Sequence, residues 1–244
     1  MKRALSAAGL IVVAISATAM AAEPASGFYV RGDFGVAYSL PTVFTDTDNG
    51  AANASLPGAG NNINEGSGNS VIYDLGVGYR LSPAVRLDAT VGYLPGLAYH
   101  GHFAQGPQVS DTASVRSLLG LINGYLDLAG LAGYKDWPVQ PFLVGSAGFA
   151  SNRLGLSTDV DHVSGSESTF SGAKSTNPAW GLGAGIAIPV GDRLAFEVAY
   201  RYLDLGQIQT GTHLTVNGAS AGELTPDHAA FMLHAVTAGF RVAF

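Results

Sequence analysis

What most constrains this chain is an alternation of side-chain character that recurs in eight segments of about ten residues each. From Phe28 to Tyr38, Phe28, Val30, Phe34, Val36 and Tyr38 occupy one set of alternate positions, and Tyr29, Arg31, Asp33, Gly35 and Ala37 occupy the other. A period of two places such sets on opposite faces of a strand. Val71 to Leu81 repeats the pattern, with Asp74, Gly76, Gly78 and Arg80 opposite an apolar face. Val85 to Leu94 sets Arg86, Asp88, Thr90 and Gly92 against Leu87, Ala89, Val91 and Tyr93. A fourth segment, about Val115 to Leu128, places Asn123, Tyr125 and Asp127 on the polar face, and a fifth, about Val139 to Phe149, is apolar on both faces. Ala179 to Ile188, Arg193 to Asp204 and Leu233 to Phe244 complete the set.

Alternation alone does not say which face is inside. In a soluble sandwich or lipocalin-like barrel the apolar face points inward and the polar face meets water. Here the second face is mostly Gly and Ala with a few charges, too sparse for a soluble exterior, and charged residues make up only 12% of the chain. The other face is almost wholly aromatic and aliphatic, with Tyr, Phe and Trp near the segment ends, as suits a headgroup level. The apolar faces therefore point to lipid. A sheet edge cannot persist in hydrocarbon, because an unpaired backbone group there costs several kcal/mol. The expectation is an all-β fold, an eight-stranded antiparallel up-and-down transmembrane β-barrel.

The N-terminus carries a separate signal. Lys2 and Arg3 precede an apolar run from Ala4 to Ala17, and Ala19-Met20-Ala21 supplies small residues for cleavage. Residues 1–21 read as a secretory signal peptide, followed by a short periplasmic segment at 22–27. Losing Lys2 and Arg3 takes the net charge from −6 to −8, an acidic balance that argues against nucleic acid as a partner. With no cysteine the chain is neither a lipoprotein nor disulfide-stapled.

The connections alternate in length. Ser82-Pro83-Ala84 and Val190-Gly191-Asp192 are tight, Ala129 to Pro138 is a longer turn, and long loops are expected at about 39–70, 95–114, 150–178 and 205–232 of a barrel spanning 28–244. In membrane barrels short turns face the periplasm and long loops face outward. This places both termini on the periplasmic side of the cell outer membrane.

Tyr200-Arg201-Tyr202-Leu203-Asp204-Leu205-Gly206 resembles the Y-R-Y-x-D-x-G signature of small outer-membrane barrels, a family called opacity-type or porin-like, with Tyr200, Arg201, Tyr202, Asp204 and Gly206 as the signature positions. Phe28-Tyr29-Val30-Arg31-Gly32, Asn123 to Asp127 and Pro141 to Gly145 resemble its first, fourth and fifth strands. The last strand, with Phe240, Val242 and Phe244 at alternate positions, looks like the signal read by the barrel-assembly machinery. The resemblance implies passage by periplasmic chaperones, residence among outer-membrane lipids and lipopolysaccharide, and a surface-antigen or adhesin-like role through loops that could meet a host ligand. It also implies a barrel like that of OmpA-type proteins without their peptidoglycan-binding domain.

The inward face is expected to carry Arg31, Asp33, Asp74, Arg80, Arg86, Asp88, Arg193, Glu197, Arg201 and Arg241. An eight-stranded barrel is only wide enough for side chains to fill, so these charges must pair. Two functions follow: a structural and surface-interaction barrel whose charges plug the lumen, or a narrow porin-like channel for ions or small solutes. A third, lipid A modification, rests on His162, Ser164 and Glu167 in one loop. A triad needs base, nucleophile and acid held together, which a flexible polar loop would not do, so no enzyme is expected. His100 and His102 lack a third metal ligand, and Asp46 to Gly50 lacks the glycine and distal glutamate of a calcium loop. No cofactor and no metal are expected.

Overall fold

The structure, a computed structural model, describes residues 26–44, 62–103, 106–134, 137–223 and 225–244. The segment 1–21 expected as a signal peptide, most of the segment 22–27 and the stretch Asp46 to Gly50 lie outside the described residues. In chain order the strands are β1 (Gly27–Ser39), β2 (Val43–Phe44), β3 (Asn62–Ser67), β4 (Asn69–Arg80), β5 (Val85–Phe103), β6 (Gly106–Asp127), β7 (Gln140–Leu154), β8 (Ser157–Asp161), β9 (Glu167–Gly172), β10 (Lys174–Pro189), β11 (Leu194–Val216), β12 (Ala219–Glu223) and β13 (His228–Ala243). One helical turn, α1 (Leu128–Leu131), joins β6 to β7.

Eight of these strands close a ring in the order β1, β4, β5, β6, β7, β10, β11, β13 and back to β1, every pair antiparallel. The seam runs from Tyr29 opposite Ala243 to Ser39 opposite Leu233, and the Phe244 amide donates to the Phe28 carbonyl at 2.9 Å. The fold is thus the eight-stranded antiparallel barrel.

Side chains alternate as the pattern requires. Phe28, Leu75, Val77, Val91, Leu182 and Phe240 are exposed on the outer wall, while Tyr29, Arg31, Asp88 and Glu197 are buried in the lumen. The faces of the fourth and fifth segments follow from the same alternation. On β6, Leu119, Leu121, Asn123, Tyr125 and Asp127 point inward; on β7, Phe142, Val144, Ser146 and Ala150 point inward and Leu143 and Phe149 outward. Along the expected segment the β7 interior is Phe142, Val144 and Gly148 with only Ser146 polar, which is why its sequence carried no clear polar face. Aromatic pairs brace the wall near both ends, Phe28 with Tyr79 and Phe196 with Phe240 at one, Trp180 with Tyr202 at the other.

Several strands are much longer than a bilayer needs. A tilted strand crosses with roughly 9–11 residues, whereas β5 has 19, β6 has 22 and β11 has 23. Much of the sequence expected as loop at 95–114, 150–178 and 205–232 is strand. These segments alternate too weakly to be read as strands, because most of their side chains are small or polar. They form an extracellular extension in which β8 pairs β6, β9 pairs β8 and β11, and β12 pairs β11. The β11–β12 turn is Asn217-Gly218, both with positive φ (50° and 78°), the backbone that a tight twisted hairpin demands. Asn217 also clasps the neighbouring hairpin: its amide donates to the Glu167 carbonyl at 2.8 Å, and its Oδ1 accepts from the Glu167 amide at 2.9 Å.

Two substitutions separate the faces. Leu75→Arg places a charge on the lipid side and should destabilise folding by about 2–4 kcal/mol near mid-bilayer. Gly35→Ala, facing the lumen, should also destabilise, because a Cβ there would lie 2.1 Å from the Val236 carbonyl oxygen. Only the first should vary with bilayer thickness when folding is measured in vesicles of different chain length.

Candidate functional site

Five arginines (Arg31, Arg80, Arg86, Arg201, Arg241) and five carboxylates (Asp33, Asp74, Asp88, Asp127, Glu197) are buried in the periplasmic half of the lumen, so this layer is charge-balanced. Glu197 is its hub. It accepts from Arg86 Nη1 at 2.9 Å and Arg241 Nε at 2.8 Å, and lies 3.7 Å from Arg31 Nη2. Arg86 also pairs with Asp127 at 2.8 Å, and Arg80 reaches the same carboxylate at 3.5 Å. Arg31 pairs with Asp33 at 2.8 Å and Asp88 at 3.4 Å. The Tyr125 hydroxyl accepts from both Arg31 and Arg201, the latter at 2.9 Å, and the Arg86 guanidinium stacks 4.5 Å from the Tyr125 ring centroid. Desolvated charges persist only when compensated in this way.

One residue differs from expectation. Arg193 is exposed in the β10–β11 turn, outside the network, because β11 begins only at Leu194. Arg201 shares an inward face with Glu197 but bonds Tyr125 instead, since Arg86 and Arg241 converge on that carboxylate. Asp74 lies in register with Asp33 across β1 and β4. Asp127, Tyr29 and Asn123 belong to the cluster too: the Tyr29 hydroxyl donates to Asp88 Oδ2 at 3.1 Å, and Asn123 Nδ2 donates to Asp88 Oδ1 at 2.6 Å. Their inward phase was the available signal.

One step further along each strand the lumen turns mainly apolar, with Ser117 and Asn152 buried in it as a hydrogen-bonded pair at 2.8 Å. Ala37, Ile72, Leu94, Leu97, Leu119, Leu121, Ala150, Leu203, Leu205, Phe231, Leu233 and Ala235 form a continuous buried cluster on the extracellular side of the charges. The signature residues build the exit from this layer. Tyr200 and Tyr202 face the outer wall beside His234, with the Tyr200 hydroxyl 2.5 Å from His234 Nδ1. Leu203 and Leu205 point inward. The Asp204 carboxylate accepts from the Gly206 amide at 2.9 Å, and Gly206 (φ 77°) sits in a β-bulge that shifts the β11 register between Asp204 and Gln207.

Above the apolar layer, Asp111 on β6 faces Asp159 on β8 in direct register. Ser157 Oγ donates to Asp111 at 2.6 Å. Burial, then the neighbouring Asp111 and Asp227, push the Asp159 carboxyl from 3.8 up to about 8; burial likewise raises Asp111, against hydrogen bonds from Ser157 and Asp159. The loop residues weighed for hydrolysis do not assemble: Ser164 donates to Asp161 at 2.6 Å, His162 Nε2 lies 2.9 Å from Ser110 Oγ, and Glu167 is tied to Asn217 through its backbone. Among the described residues no three His, Cys, Asp or Glu side chains converge to hold a metal.

Glu197→Gln should lower stability by about 3–5 kcal/mol, because it strands buried arginines, while Asp161→Asn in the exposed turn should leave urea midpoints in liposomes unchanged. Asp159 gives a pH dependence. Its folded pKa lies above its unfolded value, so its contribution is fully present below about pH 4 and is lost as pH rises through about 8. Amide exchange of Thr158 to Asp161, corrected for intrinsic rates, should accelerate across that window, and Asp159→Asn should flatten the dependence.

Comparison with known proteins gives the same architecture. The family model of the outer membrane protein beta-barrel domain matches residues 6–223. The chain is 27% identical over 205 residues to outer membrane protein PagN of Salmonella typhimurium, covering 81% of each chain. It is 29% identical over 184 residues to a candidate adhesin of Rickettsia typhi, covering 69% of this chain and 72% of that one. Among solved structures it is similar in fold to the outer membrane protease OmpT of Escherichia coli, with a TM-score of 0.53 at 11% identity over 89% of this chain and 97% of that one. An unbroken eight-strand ring with an apolar outer wall, matched over most of its length by one family model, is a protein of the outer membrane: the chain belongs to the outer membrane protein beta-barrel domain family.

Proposed function

We propose that this barrel is a sealed pedestal that presents its extracellular sheet to other surfaces, in the manner of an adhesin. The observation that carries this reading is the two-layer lumen, in which a neutral ion-pair layer is capped by a continuous apolar layer. An ion crossing would have to leave the arginine layer and shed water among leucines, which is unfavourable by far more than thermal energy. The channel reading therefore lacks a path. The extension supports the surface reading: β8, β9, β11 and β12 are cross-paired rather than left as loops, and Val163 at the β8–β9 tip is 82% exposed, an apolar side chain turned outward. The relatives named as adhesins point the same way.

The chain is proposed to have no catalytic activity. His162 and Ser110 form an exposed pair with no desolvated acid behind them, and general-base chemistry needs that orientation. Phe240, Val242 and Phe244, exposed or half-buried on the outer wall of the closing strand, are proposed as the segment that the assembly machinery reads, with periplasmic chaperones and outer-membrane lipids as the other partners.

In planar bilayers the folded protein should give no discrete conductance, and Leu119→Ser with Leu233→Ser should create a leak by wetting the apolar layer. Cells displaying the protein should adhere to host cell layers, and Val163→Asp should reduce adhesion without altering heat-modifiability or the lipid A mass spectrum. Steady conductance from the unaltered protein would contradict the sealed lumen; a changed lipid A spectrum on expression would contradict the non-enzymatic reading.

A further inference from the structure

The distribution of positive charge is uneven in a way that the sealed lumen does not explain. The chain has 12 lysines and arginines. Five are the lumen arginines, Arg193 lies in a periplasmic turn, and Lys2, Arg3 and Lys135 fall outside the described residues. The remaining three, Arg116, Arg153 and Lys174, lie side by side. Arg116 on β6 is the register partner of Arg153 on β7, and Arg153 is the register partner of Lys174 on β10. Cross-strand partners share a face with Cβ atoms roughly 4.5–5.5 Å apart. All three are exposed on the outer wall.

Like charges placed directly opposite destabilise a sheet, so such a row calls for an anion. Among the described residues no carboxylate makes an ion pair with any of the three. In the lumen, by contrast, Arg31, Arg80, Arg86 and Arg241 each pair with a carboxylate, and Arg201 donates to the Tyr125 hydroxyl. The row's height is set by the residues below it on the same face. Leu118 lies two residues down β6, Phe149 four down β7 and Trp180 six down β10, all exposed on the lipid-facing wall. At about 3.3 Å per residue along tilted strands, the cations stand some 5–15 Å above the outer aromatic level, where headgroups begin. One register step below the row, Ser151 pairs with both Leu118 and Thr176. Two neutral hydroxyls therefore flank the cations on the membrane side.

We propose that Arg116, Arg153 and Lys174 form a binding site for the phosphate groups of a phosphorylated glycolipid in the outer leaflet. Guanidinium groups bind phosphate oxygens through paired, charge-assisted hydrogen bonds, and the lysine adds a compact third charge. The acyl chains of the same molecule would lie along the apolar wall beneath, against Leu118, Phe149 and Leu182. The outward orientation, directly over that wall, favours a membrane lipid over a soluble polyanion. The site is separate from the adhesive tip and does not depend on it.

The test uses the full-length protein in phosphatidylcholine nanodiscs doped with lipid A, either phosphorylated or dephosphorylated, with bound lipid counted by native mass spectrometry. The unaltered protein should retain the phosphorylated form at least roughly tenfold better. The triple variant R116Q/R153Q/K174Q and the single Arg153→Gln should lose that preference, and R116K/R153K should keep part of it. Arg193→Gln, at the opposite end, should behave as the unaltered protein. Heat-modifiability on gels confirms that each variant is folded; if the triple variant fails that control, Arg153→Gln alone decides. Equal retention of both lipid forms, or a row variant that keeps the preference, would overturn the proposal. So would soluble heparin binding through the same three residues while the phosphorylated lipid does not.

Discussion

A sheet in hydrocarbon has no water to satisfy its edges, and most of this structure follows from that. The backbone of β1 must find β13, and eleven register pairs from Tyr29 to Ser39 join them. Closure then fixes what every side chain can do. The positions that meet lipid must be apolar, and everything polar on the strands is driven into an interior only as wide as its own side chains. Arg31, Arg86 and Arg241 have nowhere else to go, and they are held by Asp33, Asp127 and Glu197 at hydrogen-bond distance.

The interior is accordingly divided rather than mixed. Charges that are each costly alone become tolerable as a balanced cluster in which Glu197 draws three arginines together. The apolar layer beyond it, around Leu94, Leu119, Leu203 and Leu233, needs no such compensation and, in the sealed-lumen reading proposed above, keeps extracellular water from the cluster below. Removing water strengthens the ion pairs, because the effective dielectric falls. The two layers therefore support each other, and together they give a rigid post on which the extracellular strands can continue out of the membrane.

The strands that cross lipid were legible in the sequence because lipid imposes a strict period of two on them; Phe28 to Tyr38 and Arg193 to Asp204 could be assigned to faces residue by residue. The same rule misled at the ends. Arg193 continues the alternating phase but precedes the first paired residue, and only the turn geometry tells. The partners within the lumen were not legible, since alternation gives the face and not the neighbour: nothing in the spacing of Glu197 and Arg201 says that Tyr125, from another strand, takes the arginine instead. The extracellular strands were missed for a different reason. Outside the bilayer nothing requires the outer face to be apolar, so Ser157 to Asp161 and Glu167 to Gly172 carry no apolar period, and their pairing depends on long-range register with β6 and β11. The basic row has the same origin, as Arg116, Arg153 and Lys174 are far apart in sequence and meet only through two strand registers.

The most direct measurement of the sealed, charge-paired lumen is hydrogen exchange at the arginine side chains of the folded protein in nanodiscs, read by nuclear magnetic resonance on arginine labelled at Nε. Arg31, Arg86 and Arg241 each donate Nε–H to a buried carboxylate at 2.8 Å, beneath the apolar layer. Their Nε protons should persist long after those of the exposed Arg116 and Arg153 have exchanged with deuterated water. Exchange of all five at the same fast rate would mean that water reaches the ion pairs, and that the lumen is an open path rather than a plug.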